Sequence, residues 1–124
     1  MQSNERRRIL VVDDCTLTLQ LYQTALSAEG YDVDTATNGC LALAKIEASP
    51  PDLVLLDIMM PKMSGIEVTQ RIRQNNTLPF ICILLVSGCS EANVQKGLEL
   101  GANDFVRKPI KLDGLLAKIS GCFR

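Results

Sequence analysis

Five polar side chains terminate apolar stretches of this chain. Asp13 and Asp14 follow Ile9 to Val12, Asp57 follows Leu53 to Leu56, Ser87 follows Phe80 to Val86, and Lys108 lies just past the run ending at Val106. Three carboxylates brought together would repel one another and hold protons more tightly unless a cation sat among them. The fitting occupant is Mg2+, a hard ion that prefers oxygen donors, retains several waters and uses one or two carboxylates beside a substrate phosphate. Lys108 offers a compact positive charge to a phosphoryl oxygen, and the Ser87 hydroxyl can donate to another. Once that group is neutralised, a carboxylate can attack phosphorus to give an acyl phosphate. Asp57 is the expected nucleophile, because it alone lies between the acidic pair and the Ser87 and Lys108 side.

Such a constellation needs a scaffold that gathers residues dozens of positions apart. Short runs at Ile9 to Val12, Tyr31 to Ala36, Leu53 to Leu56, Phe80 to Val86 and Asp104 to Val106 alternate with segments of helical spacing. Several runs are continuously apolar, as expected of strands covered on both faces, whereas Tyr31 to Ala36 alternates and belongs toward an edge. Helices are predicted from the Leu17, Leu21, Ala25, Ala28 spacing before Gly30, over Leu41 to Ala48, over Ile66 to Arg73, from Ser90 as N-cap to Leu100, and along Leu112, Leu115, Leu116, Ile119 and Phe123. Five strands alternating with five helices imply an α/β doubly wound parallel sheet with helices on both faces. Ligands of such sheets gather beyond the carboxyl ends of the strands, where strand order reverses.

The totals fit that reading. The 124 residues suit one ordinary domain, and 47% hydrophobic with 22% charged residues is close to the average for soluble proteins. A net charge of -1 provides no electrostatic case for direct nucleic-acid binding or for a membrane surface. No apolar stretch approaches the roughly 20 residues of a spanning helix, so a cytoplasmic location is expected. The chain has no histidine, which removes His-based metal sites and Ser-His or Cys-His triads. Five cysteines with no CxxC pair argue against a disulfide framework and are expected to be mostly small core residues. Arg6, Arg7 and Arg8 read as a solvated leader.

The segments "ILVVDD", "DLVLLDIMMPKMSG", "LLVSG" and "GANDFVRKP" resemble, in order and spacing, the motifs of the receiver domain of two-component response regulators, from Ile9 to about Phe123. The resemblance implies a flavodoxin-like (βα)5 fold with strand order 2-1-3-4-5 and a single receiver domain over 1-124, its core about 8-123, with no output domain in this chain. It implies that Asp13, Asp14, Asp57 and the Met59 backbone carbonyl hold Mg2+, with Mn2+ as a substitute. Asp57 would accept a phosphoryl group from a histidine kinase or phosphotransfer protein, and Lys108 would contact that group before a cis Pro109. Ser87 and Phe105 would move together as a switch, with Gly88 leaving the phosphoryl path open. The surface of the fourth helix, fifth strand and fifth helix would then change, to regulate an output protein or domain or to form a homodimer. Met59 and Cys89, two residues beyond Asp57 and Ser87, border the route of hydrolytic water. Being uncharged, they predict a long-lived acyl phosphate.

Three other readings were weighed on the same residues. A pseudo-receiver would act as an unmodified binding module, yet all five site residues are present. An aspartyl-phosphate phosphatase of the haloacid dehalogenase type needs a second Asp two positions after the nucleophile, where this chain has Met59. A flavin binder needs a phosphate-cradling loop after the first strand, and "DDCTLT" is acidic and glycine-free. The competing reading of Phe105 is core or edge packing, and Cys15 or Cys89 could be redox-sensitive beside the site.

Overall fold

The computed structural model describes residues 6-88 and 91-123. Strands β1 (Arg8–Val12), β2 (Asp32–Ala36), β3 (Leu53–Asp57), β4 (Cys82–Ser87) and β5 (Asp104–Arg107) alternate with helices α1 (Thr16–Ala28), α2 (Gly39–Ala48), α3 (Gly65–Gln74), α4 (Glu91–Glu99) and α5 (Leu112–Cys122). All strand pairs are parallel, in the order β2-β1-β3-β4-β5. The alternating β2 stands at an edge, and the continuously apolar β3 and β4 are buried at every position.

The pleat sorts side chains between two layers, since successive residues point to opposite faces. Leu10, Val12, Val54, Leu56, Ile83 and Leu85 meet Ala42 and Ile46 of α2, Val68 and Ile72 of α3, and Val94 of α4. On the other face Ile9, Val11, Leu53, Leu55, Leu84 and Val86 meet Leu19 and Leu26 of α1 and Leu115 and Ile119 of α5. Because both faces are covered, the only open ends of the central strands are their termini.

Local chemistry sets several boundaries. Asn38 caps α2 by accepting from the Leu41 N–H at 2.8 Å, and Ser64 caps α3 by accepting from the Glu67 N–H at 3.3 Å. Gly30, with φ of 94°, turns the chain after α1 in a conformation that favours glycine. The expected Ser90 cap of α4 lies outside the described residues.

Two expectations are corrected, and the predicted first helix stands with its inner face identified. In α1, Leu17 and Leu21 are 63% and 65% exposed, while Leu19 and Leu26 are buried. The helix carries leucines on two faces, and spacing alone does not say which is the inner one. Strand β4 begins at Cys82 and not at Phe80, whose ring is 72% exposed and lies under the Arg73 guanidinium at 5.2 Å. The arginine leader is partly engaged: Arg8 opens β1 and donates to the Pro50 carbonyl at 3.0 Å, and Arg7 stacks over Phe123 at 4.9 Å.

The cysteines supply a third correction. Cys82, at the start of β4, and Cys122, at the end of α5, form a disulfide across 40 positions, their Cα atoms 6.4 Å apart. Neither an odd count nor the lack of a CxxC motif can exclude a pair that only packing of α5 on the sheet brings together. Cys15 and Cys40 are free and exposed.

Candidate functional site

The parallel register lines up the carboxyl ends of β1, β3 and β4. Val12 pairs with Leu56 and Asp57 with Val86, so the residues that end these strands fall side by side. Asp13 and Asp57 are both buried, and Asp14 is exposed. One carboxylate oxygen from each of the three lies within 4.8 Å of the others. Such a donor set of carboxylates alone suits a hard divalent cation that keeps part of its water.

Two contacts orient Asp57. The Met59 N–H donates to Oδ1 at 3.0 Å, and the Lys108 ammonium donates to Oδ2 at 3.3 Å. Asp13 is oriented by the Cys15 N–H, which donates to its Oδ1 at 2.9 Å. Burial chiefly pushes the Asp13 carboxyl above the usual carboxylate range. The neighbouring Asp57 charge pushes the same way, and the Cys15 N–H and Lys108 oppose it. The Tyr22 phenol on α1 registers the same negative field: burial first, then Asp13 and Asp57, push it up to about 12.

Ser87 ends β4, fully buried and in register with Arg107 of β5. Its carbonyl accepts from the Lys108 N–H at 2.9 Å, which fixes the start of the Lys108 segment against β4. The Lys108–Pro109 peptide bond is cis. A Cβ added at Gly88 would touch the Lys108 stem at 3.4 Å, an ordinary contact. Met59 is largely exposed, and Cys89 lies outside the described residues.

Phe105 sits farther out on β5, half-buried against the layer of α2, α3 and α4. The Arg107 guanidinium and the Lys118 ammonium lie 5.4 and 5.7 Å from its ring centre. Lys118 is also held by Asp104 at 3.0 Å. The aromatic is thus bracketed by cations and is not sealed in the core.

Sequence reading missed Gly65. A Cβ there would run into the Asp57 backbone carbonyl, and the Gly65 N–H donates to the Ile58 carbonyl at 3.0 Å. The loop from Met59 to Ser64 therefore returns directly against the back of the phosphoacceptor candidate, and only glycine fits that approach. A glycine opening a helix behind a Ser cap was the available signal, but close approach depends on the path of the whole loop.

The model of the response regulator receiver domain matches residues 9–120. Among curated relatives, the alkaline phosphatase synthesis transcriptional regulatory protein PhoP of Bacillus subtilis (strain 168) is 42% identical over 118 residues, which is 95% of this chain and 49% of that protein. The DNA-binding response regulator MtrA of Mycolicibacterium smegmatis is 38% identical over 119 residues, 96% of this chain and 51% of that protein. The chain thus spans about half the length of these relatives. Among solved structures, the signal receiver domain from Bermanella marisrubri superposes with a TM-score of 0.91 at 34% identity, covering 97% of this chain and 100% of that one. The Vibrio cholerae chemotaxis protein CheY4 does so with a TM-score of 0.88 at 30% identity, covering 95% of this chain and 99% of that one.

Proposed function

The chain belongs to the response regulator receiver domain family, and from that premise we propose that it is a phosphoacceptor switch modified at Asp57. The observation that carries this reading is the placement of a buried Asp57 between the Lys108 ammonium at 3.3 Å and the carboxylates of Asp13 and Asp14 within 4.8 Å. No arrangement that served only packing would bury two carboxylates beside a third.

The Met59 N–H keeps Oδ1 of Asp57 turned toward the loop, which leaves Oδ2 directed at the incoming group. Oδ2 attacks phosphorus as the bond to the donor nitrogen of a phosphohistidine breaks. The imidazole leaves with the electron pair, and Asp57 becomes an acyl phosphate. Lys108 then exchanges its carboxylate contact for a phosphoryl oxygen, and the Ser87 hydroxyl supplies a second donor. Asp13, Asp14, Asp57 and the Met59 carbonyl would hold Mg2+ or Mn2+, which would neutralise phosphoryl charge when bound.

Displacement of Ser87 toward the new oxygens and inward rotation of Phe105 alter the surface of α4, β5 and α5. That surface is the output: it engages a partner or further domain, or a second copy. The shift is limited to the free-energy difference with which the phosphoryl group interacts with the two states. A histidine kinase or phosphotransfer protein in the cytoplasm is the donor. An uncharged Met59, together with Cys89, leaves the hydrolytic water without an orienting group, so the acyl phosphate is long-lived.

The decisive experiment is labelling with acetyl phosphate or phosphoramidate in Mg2+, read by intact mass. Wild type gains one phosphoryl group, chelator abolishes the gain, and Asp57→Asn loses at least about 100-fold in rate. An unmodified wild type would point to a binding module without phosphoryl chemistry, and a labelled Asp57→Asn would move the nucleophile elsewhere.

A further inference from the structure

The Cys82–Cys122 disulfide has no part in phosphoryl chemistry, and its position differs from that of a buried structural staple. Cys82 is 3% exposed at the first residue of β4, but Cys122 is only half-buried in the last turn of α5. Both line an open groove of about 440 Å³ whose walls include Phe80, Asp104, Lys118 and Gly121. Cys82 is therefore sheltered by the sheet, while Cys122 is the more exposed residue of the pair and borders the groove. Accessibility of that kind distinguishes labile disulfides from inert ones.

The span closed by the bond is equally specific. Its 40 positions include Ser87, Phe105 and Lys108, and it ties the amino end of β4 to the carboxyl end of α5. Cys122 and Phe123 belong to the partly buried fringe that packs on the α1 and α5 layer, where Phe123 also meets Tyr31 at 6.0 Å and Arg7. The last turn of α5 thus has modest apolar anchorage of its own. A covalent tie there adds more restraint than it would at a helix already sealed in the core.

We infer that Cys82 and Cys122 form a reversible redox clasp, closed by a peroxide-class oxidant and opened by a thiol reductant, that fixes the end of α5 to β4. In closure, the Cys122 sulfur takes one oxygen from the peroxide to become a sulfenic acid, releasing one water. The Cys82 thiolate attacks that sulfur, the S–S bond forms, and the hydroxyl leaves as a second water. In opening, a small thiolate attacks the Cys122 sulfur, Cys82 leaves as thiolate, and a second equivalent of thiol releases the reagent as its own disulfide.

The test uses the whole chain, wild type and the variants Cys122→Ala and Cys82→Ser, equilibrated in glutathione buffers from reducing to oxidising ratios. Iodoacetamide trapping with peptide mass analysis reads each cysteine, and amide hydrogen exchange reads α5. In wild type, Cys82 and Cys122 become protected together as the buffer turns oxidising and labelled together as it turns reducing. Reduction speeds exchange in the last turn of α5 by about tenfold, with no such change in either variant. Neither readout depends on phosphoryl transfer, so failure here leaves the phosphoacceptor reading standing, and the reverse holds. Both thiols remaining labelled in the most oxidising buffer would overturn the clasp, as would a bond that persists in the most reducing buffer. Equal exchange in the oxidised and reduced wild type would remove its restraint on α5.

Discussion

The two ends of the same sheet are built on opposite terms. At the amino ends of the strands nearly every polar group is matched. Asp52 accepts from the Arg8 N–H at 2.8 Å, and Asn103 Oδ1 accepts both from the Ile83 N–H at 2.8 Å and from the Arg73 guanidinium at 2.9 Å. Arg73 also donates to the Gly101 carbonyl at 2.9 Å, and the Cys82–Cys122 bond closes the same end. At the carboxyl ends, Asp13 and Asp57 are buried beside each other, and the Lys108 ammonium reaches Asp57 at 3.3 Å. One end satisfies its charges and holds the fold together. The other keeps like charges crowded and ready for a ligand, at some expense in stability.

Four substitutions would break or sharpen this contrast. Gly65→Ala forces a methyl group against the Asp57 carbonyl, and the loop behind Asp57 must shift. We expect a loss of about 3 kcal/mol in urea unfolding, together with impaired labelling of Asp57. A stability equal to wild type would mean that the loop yields freely. Asn103→Ala strips the acceptor from the Ile83 N–H and from Arg73 at the opposite end. It should cost about 2 kcal/mol while leaving the labelling rate of the folded protein unchanged. A comparable fall in labelling would show that the ends are not separable.

Asp13→Asn should work in the other direction. Burial and Asp57 raise the proton affinity of Asp13 above its value in the unfolded chain, so the folded state binds more protons at mildly acidic pH. Its contribution to stability therefore declines as pH rises from about 4 through the raised pKa, and a penalty is present at neutral pH. In chelator at pH 7.5 the variant should be more stable than wild type, with the gap closing toward acid. Added Mg2+ should stabilise the wild type and not the variant, and a variant less stable than wild type in chelator would contradict the picture of crowded charge. The smallest effect belongs to Asp34→Asn, which breaks the exposed 3.0 Å pair with Lys45 on the rim of β2. Less than about 0.5 kcal/mol should be lost, and a larger loss would make the edge strand part of the stabilising end.

The carboxyl end was the more readable of the two in the sequence. Each of its residues breaks an apolar run, and a charge after Leu53 to Leu56 stands out without knowledge of its neighbours. Strand order and the gathering of Asp13, Asp14, Asp57 and Lys108 follow from parallel topology once the alternation is recognised. The amino end was almost invisible. Asn103 looks like any polar residue after a helix, and its two donors come from Ile83 and Arg73, 20 and 30 positions away. Cys82 and Cys122 meet for the same non-local reason. Leu17 and Leu21 identified the helix, but periodicity does not say which of two leucine stripes faces inward, and only the neighbours of Leu19 and Leu26 decide it. Phe80 was drawn into β4 by hydrophobicity, although its ring is better served by Arg73 than by the core.

The pairing of Val12 with Leu56 has a metrical consequence. Asp13 and Asp57 are the next residues on hydrogen-bonded neighbours, and such strands run about 4.8 Å apart wherever a ladder is intact. The spacing of their backbones is therefore gauged by the sheet, while the contacts from Cys15, Met59 and Lys108 set where the carboxylates point. Substitutions around the rim can change which groups enter that gap, but widening it would require unzipping β1 from β3. A receiver built this way carries its own ruler, and any ion or phosphoryl group that enters has to suit the ruler.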